Sequence, residues 1–143
     1  MGRLMAIDYG RRRCGIAVTD PLRIVATGLT TVATAELIKF VKNYITAETV
    51  DMIVVGLPKQ MDGTPSESMS YITPGIGRLR KELPQIKVEF FDERFTSVLA
   101  HRGMIDSGMK KMQRRNKAAV DEMAAVIILN DFLQSKQYDD IRQ

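Results

Sequence analysis

The sequence predicts an α/β fold on one mixed sheet, with helices on both faces. Three observations predict it. Runs 3–9, 15–19 and 23–32 are strand-like and follow one another over short connections, the pattern of an antiparallel meander. Runs 51–57 (DMIVVGL) and 87–91 (KVEFF) are short, apolar and largely uninterrupted, as strands buried on both faces are. Helical periodicity fills the stretches between and after them, so the order is βββαβαβα with a final helix.

Each element has a local reason. The first strand (RLMAIDY) is mostly apolar and ends near Asp8, and Gly10 and Gly15 bracket the turn that follows. Thr34 stands where it would cap a helix to about Ala47, because Leu37, Ile38, Val41, Tyr44 and Ile45 recur at helical spacing. A polar loop (PKQMDGTPSES) follows the fourth strand. The helical stretch after it, to about Leu83, is expected to kink or restart at Pro74-Gly75. The fifth strand closes on Asp92-Glu93-Arg94, and Thr96 or Ser97 caps a helix to about Met104. Residues 106–117 are polar and basic and are expected to form a mobile loop. The last helix runs from about Ala118 to Gln134, with a polar tail from about 135. One domain, 1–143, accounts for the chain.

Composition bounds the function. At 143 residues, 45% hydrophobic and 27% charged, the chain suits one folded domain and excludes wholesale disorder. No apolar run approaches the roughly 20 residues of a membrane-spanning helix, and the opening lacks a secretory signal. One cysteine, Cys14, and one histidine, His101, allow neither an internal disulfide nor a zinc cluster. The expected compartment is the cytoplasm. Cys14 has no activating partner other than the neighbouring arginines, and His101 reads as a helix residue and not as a proton shuttle.

The net charge of +4 permits an anionic partner without requiring one. The positive charge is clustered: Arg11, Arg12 and Arg13 are consecutive, and Lys110, Lys111, Arg114, Arg115 and Lys117 fall in one short run. Such runs are either solvated surface or tracks for a phosphate backbone. Nine Phe and Tyr residues and no Trp give no stripe for base stacking.

Acids at element ends carry the chemistry. Asp8 ends an apolar strand, Asp92 and Glu93 end another, and Asp121 lies early in the last helix, on the face of Ala125, Ile128 and Phe132. In open α/β sheets, sites gather at the carboxyl ends of strands. Asp8 would otherwise serve as a turn former, Asp92 and Glu93 as partners of Arg94, and Asp121 as a helix-dipole anion. Gathered together, such carboxylates repel one another unless a cation is present. A hard divalent ion such as Mg²⁺ supplies it and leaves room for a phosphate, and two such ions can clamp a phosphodiester.

Four blocks then resemble one family. They are Asp8-Tyr9-Gly10 through Gly15-Ile16-Ala17-Val18-Thr19-Asp20; Val54-Val55-Gly56-Leu57-Pro58 with Met61-Asp62-Gly63-Thr64; Asp92-Glu93-Arg94-Phe95-Thr96-Ser97; and Asp121-Glu122-Met123-Ala124-Ala125 with Ile127-Ile128-Leu129. In this order the chain resembles the YqgF/RuvX family, proposed Holliday junction resolvases of the RNase H-like fold. The resemblance implies a five-stranded mixed sheet whose first three strands are antiparallel. It implies phosphodiester hydrolysis dependent on Mg²⁺ or Mn²⁺, with Asp8, Glu93 and Asp121 as the metal-binding catalytic acids and Asp92 as an alternative ligand. It implies a nucleic-acid substrate, either the small-subunit ribosomal RNA precursor at its 5′ end or branched DNA. Pro74-Gly75 departs from the family's unbroken helix.

Arg11, Arg12, Arg13, Arg94 and the basic run at 110–117 are the candidate nucleic-acid contacts. Two other readings compete with the nuclease: a non-catalytic nucleic-acid or ribosome-binding module, and an actin-like or sugar-kinase-like phosphotransferase, for which the chain has room for one lobe only. A two-fold symmetric branched substrate would call for a homodimer.

Overall fold

In the computed structural model of the chain the described residues are 2–57, 67–92 and 117–142, with residues 117–120 and 142 described by backbone alone. The expected helix after Thr96 or Ser97 and the expected basic loop lie outside the described residues. Five strands form one sheet: β1 (Arg3–Tyr9), β2 (Arg13–Thr19), β3 (Ala26–Ala33), β4 (Val50–Leu57) and β5 (Lys87–Asp92). Their order is β3-β2-β1-β4-β5. β1, β2 and β3 pair antiparallel, while β4 pairs parallel with both β1 and β5. The helices are α1 (Leu37–Ala47), α2 (Met69–Glu82), α3 (Lys117–Leu133) and α4 (Lys136–Arg142). Among the described residues no helix is long and apolar enough to cross a membrane.

Strand alternation divides the core into two layers. Met5, Ile7, Ile16, Ile53 and Val55 form one layer with Leu37 and Val41 of α1 and Ile72, Ile76 and Leu79 of α2. Leu4, Ala6, Ala17, Met52, Val54 and Phe91 form the other with Ala125, Ile128, Leu129 and Phe132 of α3. The helices thus cover both faces, as expected. Helix α3 is the cover nearest the acids, because its apolar residues lie over β1, β2 and β3.

Four local expectations change. β3 begins at Ala26, not 23, because the Asp20 carboxylate accepts hydrogen bonds from the backbone N–H groups of Leu22, Ile24 and Val25 and winds residues 20–25 into a loop. Thr34 does not cap α1. Its hydroxyl donates to the Gly10 carbonyl at 2.7 Å, and a 3-10 turn, Thr34–Glu36, leads into the helix. Helix α2 does not restart at Pro74: apolar contacts of Ile72 on one side and Ile76 and Leu79 on the other hold one helix across the missing hydrogen bond. The polar tail is the short helix α4, pinned by Tyr138, which is buried against Phe132 at a centroid distance of 5.5 Å.

Candidate active site

Asp8 follows Leu4 and Ala6 on β1, so alternation assigns it to the face that α3 covers. Its cross-strand partner on β2 is Gly15. Helix α3 crosses the strand at that residue, where a Cβ would collide with the Asp121 carbonyl. Only glycine admits so close an approach, and the approach sets Asp121 beside the strand pair that carries Asp8. Ala125, Ile128 and Phe132 are fully buried, so Asp121 does lie on the sheet-facing side of α3, as its spacing predicts. Arg13 precedes Gly15 by two on β2. Its Nε donates to Asp121 Oδ2 at 2.9 Å, with both side chains only partly exposed.

A cavity of about 320 Å³ opens here, lined by Gly10, Arg11, Arg12, Arg13 and Asp121. The turn that carries the arginines is pinned to the start of the 3-10 turn. The Thr34 hydroxyl bonds the Gly10 carbonyl, and the Thr34 N–H donates to the Arg12 carbonyl at 2.9 Å. Arg11 and Arg12 are exposed, and the Arg11 guanidinium lies over the Tyr71 ring, 5.2 Å from its centroid. Three consecutive arginines therefore do three different things: one pairs with an acid, one lies on an aromatic ring, and one faces solvent.

Cys14 is buried in the opposite layer. Burial pushes its thiol up, the hydrogen bonds with Thr34 and Gly10 pull it down, and the charges of Asp8 and Asp121 push it up again. A thiol held protonated is no nucleophile. Burial likewise raises the Tyr9 phenol.

The structure thus brings Asp8, Asp121, Arg11, Arg12 and Arg13 to one end of the sheet. Asp92 ends β5 in register with Leu57, two and four positions after Phe90 and Val88 of the α1–α2 layer. Glu93, Arg94, Lys110, Lys111, Arg114 and Arg115 lie outside the described residues, as does the side chain of Lys117. Among the described residues no three acids, histidines or cysteines form a metal-holding group. Asp8 and Asp121 are hard oxygen donors on one face, a donor set that fits Mg²⁺ or Mn²⁺ better than a soft metal. Tyr9 and Tyr71 escaped the sequence reading because nothing local to either signals the other.

A sequence profile described as "RuvX: Holliday junction resolvase" matches residues 2–135. The chain belongs to the RuvX family. A RuvX relative from Phocaeicola vulgatus is 56% identical over 138 residues, covering 96% of this chain and 99% of its own. One from Bacteroides fragilis is 55% identical over 137 residues, with coverage of 96% and 99%. One from Flavobacterium psychrophilum is 48% identical over 136 residues, with coverage of 95% and 99%. Each bears the name "Putative pre-16S rRNA nuclease". Among solved structures, "T. thermophilus RuvC in complex with Holliday junction substrate" aligns with a TM-score of 0.54 at 12% identity, over 94% of this chain and 95% of that one. What the two share is the fold. The mixed five-stranded sheet of this RuvX chain, with its first three strands antiparallel, is RNase H-like, as the resemblance implied.

Proposed function

We propose that the chain is a cytoplasmic, divalent-metal-dependent nuclease that hydrolyses phosphodiester bonds in the 5′-end processing of the small-subunit ribosomal RNA precursor. The observation that carries this reading is the meeting of Asp8 and Asp121 on one sheet face, beside a cavity lined by three arginines. Acids alone would repel a phosphodiester, and arginines alone would only bind one. The names of relatives 55–56% identical over nearly their full length favour the RNA precursor among phosphodiesters.

Asp8, Asp121 and Glu93 would hold Mg²⁺ or Mn²⁺. The bound ion supplies the Lewis acidity that phosphodiester cleavage needs. Arg13 partly neutralises the Asp121 carboxylate through their hydrogen bond. Arg11 and Arg12 bind backbone phosphates and set the register of the strand without reading its sequence. Lys110, Lys111, Arg114, Arg115 and Lys117 are further candidate phosphate contacts by their charge.

The test is incubation of the protein and its Asp8→Asn variant with labelled ribosomal RNA precursor and, separately, with a four-way DNA junction. Mn²⁺ or Mg²⁺ is present, and a chelated control runs alongside. Metal-dependent cutting of the RNA, lost in the variant while binding persists, is the expected result. Cutting of the junction alone would move the substrate to branched DNA, where two symmetric cuts call for a dimer. No cutting, with binding indifferent to chelation, would leave a binding module.

A further inference from the structure

On the α1–α2 face of the sheet, three side chains stack outward from Gly75 of α2. Gly75 of α2 lies against the Tyr9 hydroxyl, so closely that a Cβ at Gly75 would collide with it. Tyr9 is buried, and its ring stacks on that of Tyr71 with centroids 6.4 Å apart and planes inclined by 27°. Tyr71 is half-buried and carries the Arg11 guanidinium 5.2 Å from its centroid. Arg11 is exposed and lines the same cavity as Asp121 and Arg13. Among the described residues Arg11 has no carboxylate partner, unlike Arg13.

We propose that Arg11 and Tyr71 form a stacking subsite for one unpaired base of the strand being cut, so that the enzyme takes single-stranded RNA in preference to duplex. This rests on the nuclease reading above and adds the strand form it accepts. An arginine that only bound phosphate would serve as well free in solvent. Held over an aromatic ring, its guanidinium can offer a planar π-surface to a base and keep N–H groups for a phosphate. Unpaired bases are held on aromatic rings and guanidinium planes in this way, whereas paired bases hide their faces in the helix.

The ladder also explains why the platform is rigid. Tyr71 is backed by Tyr9, which is locked by burial and by the absence of a side chain at Gly75. The ring therefore loses little freedom when a base arrives. Arg11 lines the same cavity as Asp121, so the subsite serves a nucleotide near the one whose phosphate is cut.

The test is fluorescence anisotropy with a labelled single-stranded RNA of about ten nucleotides and with the duplex of the same sequence, in chelator so that neither is cleaved. Wild type is expected to bind the single strand more tightly. Tyr71→Leu keeps an apolar side chain against Tyr9 and removes the π-face. It is expected to lose about tenfold in single-strand affinity, within the range for one stacked base, and to leave duplex affinity unchanged. Tyr71→Phe is expected to match wild type. Arg11→Lys keeps the charge and is expected to lose the preference for single strands while retaining the salt dependence. Equal losses for both ligands, or no loss in either Tyr71→Leu or Arg11→Lys, would overturn the subsite and leave the nuclease reading standing. Failure of the wild type to bind either ligand would overturn both.

Discussion

Arg13 on β2 and Asp121 on α3, 108 positions apart in sequence, are joined by a hydrogen bond of 2.9 Å from Nε to Oδ2. The bond crosses from sheet to covering helix at the mouth of the arginine-lined cavity. It places a fixed cation on one of the three carboxylates that would hold the proposed metal. Arg13 and the metal ion should therefore compete for Asp121.

Arg13→Gln is accordingly expected to raise Mn²⁺ affinity several-fold, measured by titration calorimetry on the protein without nucleic acid. Its cost in stability should be small. Both side chains are partly exposed, and such pairs contribute about 0.2–1 kcal/mol, here towards the lower end. A fall in Mn²⁺ affinity would show that Arg13 supports the metal site and does not compete for it.

Gly15→Ala tests the seating of α3. The added methyl meets the Asp121 carbonyl, backbone that cannot rotate away. Overpacking of this kind costs about 1–3 kcal/mol, to be read in denaturant unfolding. Cleavage should fall more steeply than stability, because the helix that carries Asp121 must lift from the strand that faces Asp8. Unchanged unfolding would mean that helix and strand are not in such close contact.

Asp20→Ala should destabilise the β2–β3 loop in a pH-dependent way. Hydrogen bonds from backbone N–H groups, that of Val25 first, hold the Asp20 carboxyl below its ordinary value of 3.8. A carboxyl depressed in the folded state stabilises above its unfolded pKa, and that contribution is lost as pH falls through the folded value. The melting temperatures of wild type and variant should thus differ at neutral pH and converge as the pH is lowered through and below about 3.8. A constant gap down to pH 2 would contradict this.

Tyr138→Ala distinguishes an integral α4 from a dispensable tail. Tyr138 is buried, packs against Phe132 and has its N–H bonded to the Ser135 hydroxyl at 3.1 Å. Removing such a ring costs about 3 kcal/mol, near the lower end for buried aromatics. Thermal denaturation indistinguishable from wild type would return residues past 135 to the status of a tail.

Much of this was legible in the chain itself. The bounds of β1, and those of β4 and β5 to within a residue, follow from apolar runs whose ends are marked by polar residues. The face of Asp121 follows from its spacing to Ala125, Ile128 and Phe132. The errors fell where a side chain bonded to distant or irregular backbone. Asp20 converted the expected start of β3 into a loop, and Thr34 turned to Gly10 in place of capping its own helix. Tyr138 gave a polar segment one buried anchor, which composition averages away.

The sequence by itself determined the strands and helices, their apolar faces and the acids at their ends, because periodicity and turn chemistry act between residues a few positions apart. Tertiary structure decided which groups meet. It set Asp121 over Gly15 and gave Arg13 to Asp121 and Arg11 to Tyr71. Those outcomes depend on the parallel pairing of β4 with both β1 and β5 and on how closely α3 approaches the sheet. Distances across a sheet are set by packing between remote segments, and no local pattern in the chain records them.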